Sequence, residues 1–499
     1  MRDETTEAPI KTASNGPIGT RTWLERIWTG IADRGRAYAD VPDARLPPLE
    51  RARRLARTLL SERGEASGAA IARELRESVG SLAGSDRVAF FRFIAEEFAP
   101  QPDRLRKAAE AWLAEPSLEH ASRLADAAEP PRQELLRRLN MAPSGTATLV
   151  ALREELLGLM KAEPALSVLE ADLRHLLTSW FNRGFLELRR IDWQTPAAVL
   201  EKLIRYEAVH EIQGWEDLRR RLAADRRCFA FFHPALPGEP LIFVEVALVQ
   251  GMADAIGPLL ARDEPPGTPR EADTAIFYSI SNCQEGLRGI SFGNFLIKQV
   301  VEELKAELPQ LNRFATLSPV PGFRRWVDRQ LASGPGATLL QAGEAEKPGS
   351  GDLVAQFRAQ AEGAWWEDPA RRDALRPQVL RLAAIYLTRP NAGLGTIDPV
   401  ARFHLGNGAR LERINWLGNL SDRGMRESFG VMVNYLYDRD AIEANHEAFL
   451  RSGQVVRGAE VDRLLDVATP ASRPRRALAR LLRGDDRGVE QDGGRRPAG

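Results

Sequence analysis

The stretch Asn282–Leu311, NCQEGLRGISFGNFLIKQVVEELKAELPQL, opens in small and polar residues and closes as an amphipathic helix. From Phe292 onward, apolar residues fall at Ile297, Val300, Val301, Leu304 and Leu308, the spacing of one buried helical face. Just upstream, Gly286, Gly289 and Gly293 surround Arg288, and Ser291 stands where an N-cap would. Glycine lets a backbone approach a ligand closely, and the free N–H groups of a helix's first turn suit a phosphate. The same spacing also describes an ordinary glycine-containing turn before a helix. The flanking sequence has to decide between the two.

Immediately before it, TAIFYSISN (274–282) has the composition of a buried strand. Earlier still, CFAFFHPALPGEPLIFVEVALV (228–249) sets two β-rich runs around a Pro/Gly turn, the pattern of a hairpin with a long loop. The order is therefore hairpin, strand, glycine-containing loop, helix. Downstream, SGPGATLLQAGEAEKPGSGD (333–352) reads as a flexible linker. AGLGTIDPVARFHLGNGARLERINWLGN (392–419) and ESFGVMVNYLY (427–437) read as short strands with turns. From about Thr469 the chain is rich in Arg, Gly and Asp and has little to bury, which predicts a disordered tail over 469–499.

The N-terminal half follows another regime. From Thr22 to Trp193 it is rich in Ala, Leu, Arg and Glu, with few β-branched residues. In SDRVAFFRFIAEEFA (85–99), Ser85 and Asp86 suit a cap, and Val88, Phe91, Ile94, Ala95 and Phe98 form one stripe. ATLVALREELLGLMKAEPAL (147–166) repeats the pattern. No constellation in this half suggests chemistry, so it reads as a helical bundle for packing or assembly. The expected organisation is a disordered tail (1–21), a helical oligomerisation domain (22–195), a catalytic domain (196–468) and the C-terminal tail. The fold class is α+β: all-α first, then α/β.

Composition limits the partners. Lys plus Arg equals Asp plus Glu at 69 each, so no net field draws the 499-residue chain to nucleic acid or an acidic membrane. Apolar residues make up 43% of the chain, but no uninterrupted run is long enough to span a bilayer. Cys228 and Cys283 are the only cysteines, which argues against a disulfide framework or a cysteine-rich metal site. HExxH and CxxC motifs are absent. The first residues carry no hydrophobic signal core and are too acidic for a transit peptide, so a cytoplasmic protein is expected.

The hairpin, strand and Arg/Gly loop resemble the way acyltransferases of the GNAT superfamily hold the pyrophosphate of coenzyme A. Their loop reads Arg or Gln, two residues, Gly, one residue, Gly or Ala. Arg288-Gly289-Ile290-Ser291-Phe292-Gly293 fits it except that Ser291 replaces the middle glycine. Longer strings resemble the malonyl-CoA decarboxylase family in order: FFHPALPGEPLIFVEVAL, FYSIS, GLRGISFGNFLIKQVVEEL, FATLSPVPGFRRW, DPVARFHLGNGARLERINW and GVMVNYLY. WFNRGFLELRRIDWQTPA and RLNMAPSGTATLVALREELL resemble its helical domain, and the likeness spans roughly Leu55 to Leu450.

That resemblance implies a helical domain used for oligomerisation, with a homotetramer favoured, and a GNAT-like catalytic domain. It implies conversion of malonyl-CoA to acetyl-CoA and carbon dioxide. The loop Arg288, Gly289, Ile290, Ser291, Phe292, Gly293 and Asn294 would hold the coenzyme, and Ser279 would line the malonyl pocket. A catalytic serine and histidine map onto Ser318 in LSPVPGF and His404 in FHLGNGA. Ser291 stands where some relatives carry a glutamate, which weighs against a mechanism needing a carboxylate there.

The chemistry suits these residue types. Loss of carbon dioxide leaves electrons that the thioester carbonyl accepts as an enolate, so no cofactor is expected. Donors must face the developing oxyanion, and an acid must protonate C2. Histidine suits the transfer because its ordinary pKa is near neutrality. Ser318 would orient or polarise the malonyl group, or relay a proton; flanking Pro319 and Pro321 also suit a turn. His233 at the hairpin turn reads as structural, and His120, His175, His210 and His446 are scattered through helical sequence. Two other readings stay open: a coenzyme A-dependent acyltransferase, and a non-catalytic acyl-CoA sensor or scaffold. A sensor would need neither Ser318 nor His404.

Overall fold

The computed structural model describes residues 23–62, 64–290, 296–332, 356–388 and 398–465. The predicted tails, the linker at 333–352, the Ser291 cap and the loop residues Phe292, Gly293 and Asn294 lie outside the described residues. The chain divides into two compact units, Met1–Ser318 and Pro319–Gly499.

Among the described residues, the first unit begins with nine α-helices: α1 (Trp23–Gly35), α2 (Pro48–Ser61), α3 (Glu65–Gly80), α4 (Gly84–Glu97), α5 (Pro102–Ala114), α6 (Leu118–Ala128), α7 (Pro131–Asn140), α8 (Gly145–Leu159) and α9 (Ser167–Trp180). Apolar stripes of α2, α3, α4, α7, α8 and α9 meet in one core that includes Leu55, Ile71, Phe91, Leu136, Leu149 and Leu173. α5 and α6 are different: α5 buries no residue and α6 only Ala127. The expected cap at Ser85 or Asp86 is not formed. α4 starts one residue earlier, at Gly84, and its N-cap Ala83 has no polar side chain to accept an N–H.

Next come β1 (Glu187–Ile191), α10 (Ala197–Tyr206), α11 (Trp215–Arg221), β2 (Arg226–Phe232), β3 (Pro240–Val249), α12 (Gly257–Leu260), β4 (Thr274–Asn282), α13 (Leu296–Glu307) and β5 (Arg313–Thr316). β1 to β4 form an antiparallel meander, and β5 joins β4 in parallel. The predicted hairpin and strand are β2, β3 and β4. β2 is buried along its whole length, and β3 is buried as far as Leu248. Such runs are continuous rather than alternating because both faces of the sheet are covered. On one face, α10 and α11 pack Val199, Leu200, Leu203 and Leu218 against Cys228, Ala230 and Phe243. α13 is the crossover between the parallel strands. It buries Ile297, Val300, Val301 and Leu304, the stripe predicted from spacing.

The second unit holds α14 (Phe323–Ala332), α15 (Pro369–Thr388), α16 (Pro399–Gly406), β6 (Arg410–Asn415), α17 (Asp422–Ser428), β7 (Met432–Leu436), α18 (Ile442–Ser452) and α19 (Ala459–Leu464). β6 and β7 pair antiparallel. Phe323, Trp326, Tyr386 and Phe429 form an aromatic cluster with ring centroids 5.3 to 6.4 Å apart. The sequence had suggested strands and turns across 392–419. Pro399–Gly406 is instead a helix, started by the Asp398 carboxylate, which accepts the Ala401 N–H at 2.8 Å, with Pro399 at the first helical position.

Candidate active site

Within the first unit, the residues expected at the site lie on a strand edge and a loop. β4 and β5 pair from Thr274↔Arg313 to Phe277↔Thr316, and the Leu317 N–H reaches the Phe277 carbonyl at 2.9 Å. Pairing with β5 ends there, whereas pairing with β3 continues to Asn282. Ser318 comes directly after this point. It is buried, and its hydroxyl donates to Thr316 Oγ1 at 2.9 Å.

The loop leaves β4 through a short turn, Glu285–Leu287. The N–H groups of Arg288 and Ile290 donate to the carbonyls of Glu285 and Leu287 at 3.0 Å. Ile290 is buried, while Arg288 and Gly289 face solvent. Gly289 has φ +79°, a conformation that favours glycine. The Arg288 guanidinium lies 3.4 Å from Glu285, but both side chains are more than 60% exposed, so the contact adds little stability.

Ser279 faces inward. Its hydroxyl lies 2.7 and 2.9 Å from the two Glu207 carboxylate oxygens, and Ser281 donates to the same carboxylate at 3.1 Å. Glu207 Oε1 also accepts the N–H groups of Val209 and His210 at 2.8 and 2.7 Å. Beside this knot, Glu245 on β3 accepts from Arg221 at 2.8 Å. Burial raises the Glu245 pKa against the pull of Arg221, and nearby Glu207 raises it further. The Cys228 and Cys283 thiols are free and buried, and burial pushes both thiols up.

His404 belongs to the second unit, on α16, and is 3% exposed. Its Nδ1 lies 2.8 Å from the Tyr437 hydroxyl, and its ring stacks on Tyr435 at 4.7 Å and 23°. Burial lowers the imidazole pKa to about 3 and pushes the Tyr437 phenol up, so both groups are neutral across the physiological range. When the Tyr437 hydroxyl donates to Nδ1, the ring proton is on Nε2; the reverse tautomer donates from Nδ1. Asp398, which caps the helix, has a pKa raised to about 6 by burial, against hydrogen bonds from Ala401, Val400 and Tyr386.

Sequence reasoning missed Glu207, Ser281, Thr316, Asp398, Tyr435 and Tyr437. Only Asp398 carried a local signal, as the Asp-Pro of a helix start. His210 lies in the connection between α10 and α11 rather than on a helix. His233 fills the hairpin turn: its Nδ1 accepts the Ala235 N–H at 3.1 Å, and its ring meets Phe181 at 4.6 Å. No group of three or more His, Cys, Asp or Glu side chains placed to hold a metal occurs among the described residues.

The chain matches the malonyl-CoA decarboxylase C-terminal domain over residues 184–475 and the N-terminal domain of the same family over residues 98–181. It is 37% identical over 337 residues to the mitochondrial malonyl-CoA decarboxylase of Anser anser anser, covering 64% of this chain and 66% of that protein. The crystal structure of malonyl-CoA decarboxylase from Rhodopseudomonas palustris is 52% identical, with a TM-score of 0.78 over 83% of this chain and 99% of that one. The crystal structure of the Agrobacterium vitis enzyme is 49% identical, with a TM-score of 0.76 over the same shares.

Proposed function

Because the chain belongs to the malonyl-CoA decarboxylase family, we infer that it converts malonyl-CoA to acetyl-CoA and carbon dioxide. The match over residues 184–475 is the observation that carries this reaction. The C2–carboxylate bond breaks, its electron pair becomes the thioester enolate, and a proton added at C2 completes acetyl-CoA.

In this reading the loop Arg288–Asn294 holds the coenzyme's phosphates, supported by the strand–loop–helix order and the exposed Gly289 backbone. Ser279, held by Glu207, helps shape the malonyl pocket. Ser318, where β5 stops pairing with β4, turns its single hydroxyl proton from Thr316 to the malonyl group. His404 acts as a neutral imidazole. With Tyr437 donating to Nδ1, its Nε2–H first stabilises the enolate oxygen and then passes to C2; the imidazolate left behind, held by the Tyr437 hydroxyl, takes its proton back from solvent. A neutral histidine is a competent electrophile in enolate chemistry.

The working assembly is a homotetramer built through the helical domain, residues 22–195, with the catalytic domain at 196–468. Its support is the α5–α6 hairpin, where Leu113 and Leu118 are 71% and 93% exposed. The protein acts in the cytoplasm. Among the described residues, no helix is long and apolar enough to cross a membrane.

Purified protein mixed with malonyl-CoA alone tests the reaction. Acetyl-CoA should form, and in heavy water its methyl group should gain one deuterium. Product only when an amine acceptor is added would instead establish the acyltransferase reading. Binding without turnover would favour the sensor.

A further inference from the structure

We propose that Arg153, on helix α8 of the helical region, is a positioning residue for coenzyme A: it holds the loop from behind so that the Gly289 N–H faces the phosphates. The proposal rests on the reading of residues 288–294 as the phosphate loop.

Arg153 is 1% exposed, and its guanidinium spans two elements. Nη1 donates to the Gly286 carbonyl at 2.6 Å, and Nη2 donates to the Arg288 carbonyl at 2.9 Å. Nη2 also pairs with Glu170 of α9 at 2.8 Å. A guanidinium is a rigid planar fork, so these acceptors fix its plane and it fixes theirs. The described peptides are trans, and a trans peptide aims its C=O and N–H in opposite directions. Drawing the Arg288 carbonyl inward therefore turns the next N–H, that of Gly289, outward. Gly289 is exposed, and its N–H has no acceptor among the described residues.

A second observation places helix and loop in direct backbone contact. A Cβ added at Gly286 would lie 2.0 Å from the Val150 carbonyl oxygen on α8. The turn thus sits against α8 with no room for a side chain, and Arg153 grips it three residues further along. Burying a charged arginine is costly, and here two donors are committed to the main-chain carbonyls of Gly286 and Arg288, next to Gly289. The helical region therefore shapes the binding loop as well as packing against it.

The test uses full-length Arg153→Met, Arg153→Lys, Gly286→Ala, Gly289→Val and Arg132→Met. Arg132 pairs with buried Asp172 in the same helical region and does not belong to the loop contacts. Calorimetric titration with free coenzyme A, malonyl-CoA kinetics and urea unfolding are measured for each. Arg153→Met should weaken coenzyme A binding about 10- to 100-fold, the usual effect of losing hydrogen bonds to a charged group. KM should rise in parallel, with kcat within about twofold of wild type. Lys at 153 should recover part of the affinity, and Gly286→Ala should weaken binding in the same direction. Arg132→Met should lose stability and keep wild-type affinity.

Wild-type affinity in Arg153→Met overturns the proposal, as does an equal loss in Arg132→Met. Should Arg153→Met fail to fold, unchanged affinity in both Arg153→Lys and Gly286→Ala overturns it. Gly289→Val separates the two readings. If it alone is impaired, the loop assignment stands and Arg153 only packs; if it binds normally, the loop assignment falls and the proposal falls with it.

Discussion

In the proposed mechanism, His404 and Ser318 carry the chemistry. His404→Asn keeps a hydrogen-bonding group but loses the imidazole, and should cut kcat by about 10² to 10⁴ with KM nearly unchanged, measured by steady-state kinetics. Sequence reasoning expected a near-neutral ionisation from this residue. Burial instead places it near 3, so the kcat/KM profile should lack a step from His404 at its ordinary pKa. The sign for stability follows. Below about 6.5 the unfolded chain takes a proton that the native imidazole refuses, so stability falls with pH by up to about 1.4 kcal/mol per unit. Urea unfolding from pH 7 to 4 should show a shallower fall in His404→Asn. Ser318→Ala removes one hydroxyl and its bond to Thr316, and should lower kcat about a hundredfold with little change in KM. Both residues were legible only through the long strings around them. Tyr437 and Glu207 were not, since their partners lie 33 and 72 residues away. No local pattern encodes a contact at such range.

At the scale of elements, the sequence was most legible where periodicity was unambiguous. β2, β3, β4 and α13 fell where apolar runs and stripes placed them. Residues 399–406 were misread because glycine and asparagine on either side suggested turns, although Asp398-Pro399 is a strong helix start. The carboxylate capping that helix is itself under tension. Its native pKa, raised to about 6, exceeds the ordinary value of 3.8, so stability from this group is lost as pH rises between the two. Asparagine caps comparably without the buried charge. Asp398→Asn should therefore match or exceed wild-type stability at pH 7 and flatten that pH dependence. Asp398→Ala should lose about 1 kcal/mol with the cap. Thermal unfolding from pH 4 to 7 compares the two.

At the scale of the whole molecule, the helical half and the α+β character were legible, because composition changes sharply near residue 195. The tie between α8 and the loop was not, because an arginine in an amphipathic helix reads as solvated until its partners are known. Nor do spacings reveal what the outlying hairpin meets. α5 exposes Leu113, and α6 opens with Leu118 almost fully exposed. Charge at both positions, Leu113→Asp with Leu118→Asp, should leave the buried helical core intact and dissociate the proposed tetramer. Light scattering should then report a smaller particle than wild type; an unchanged mass would move the interface elsewhere.

The two cysteines give the catalytic sheet a built-in reporter. Cys228 lies on β2 and Cys283 just past β4, both buried and both held as thiols. A thiol in that state reacts only when the sheet around it opens. The rate at which the native enzyme takes up a thiol-specific label is therefore a clock for local opening. No engineered probe is needed, and ligand-induced tightening of the sheet would slow it.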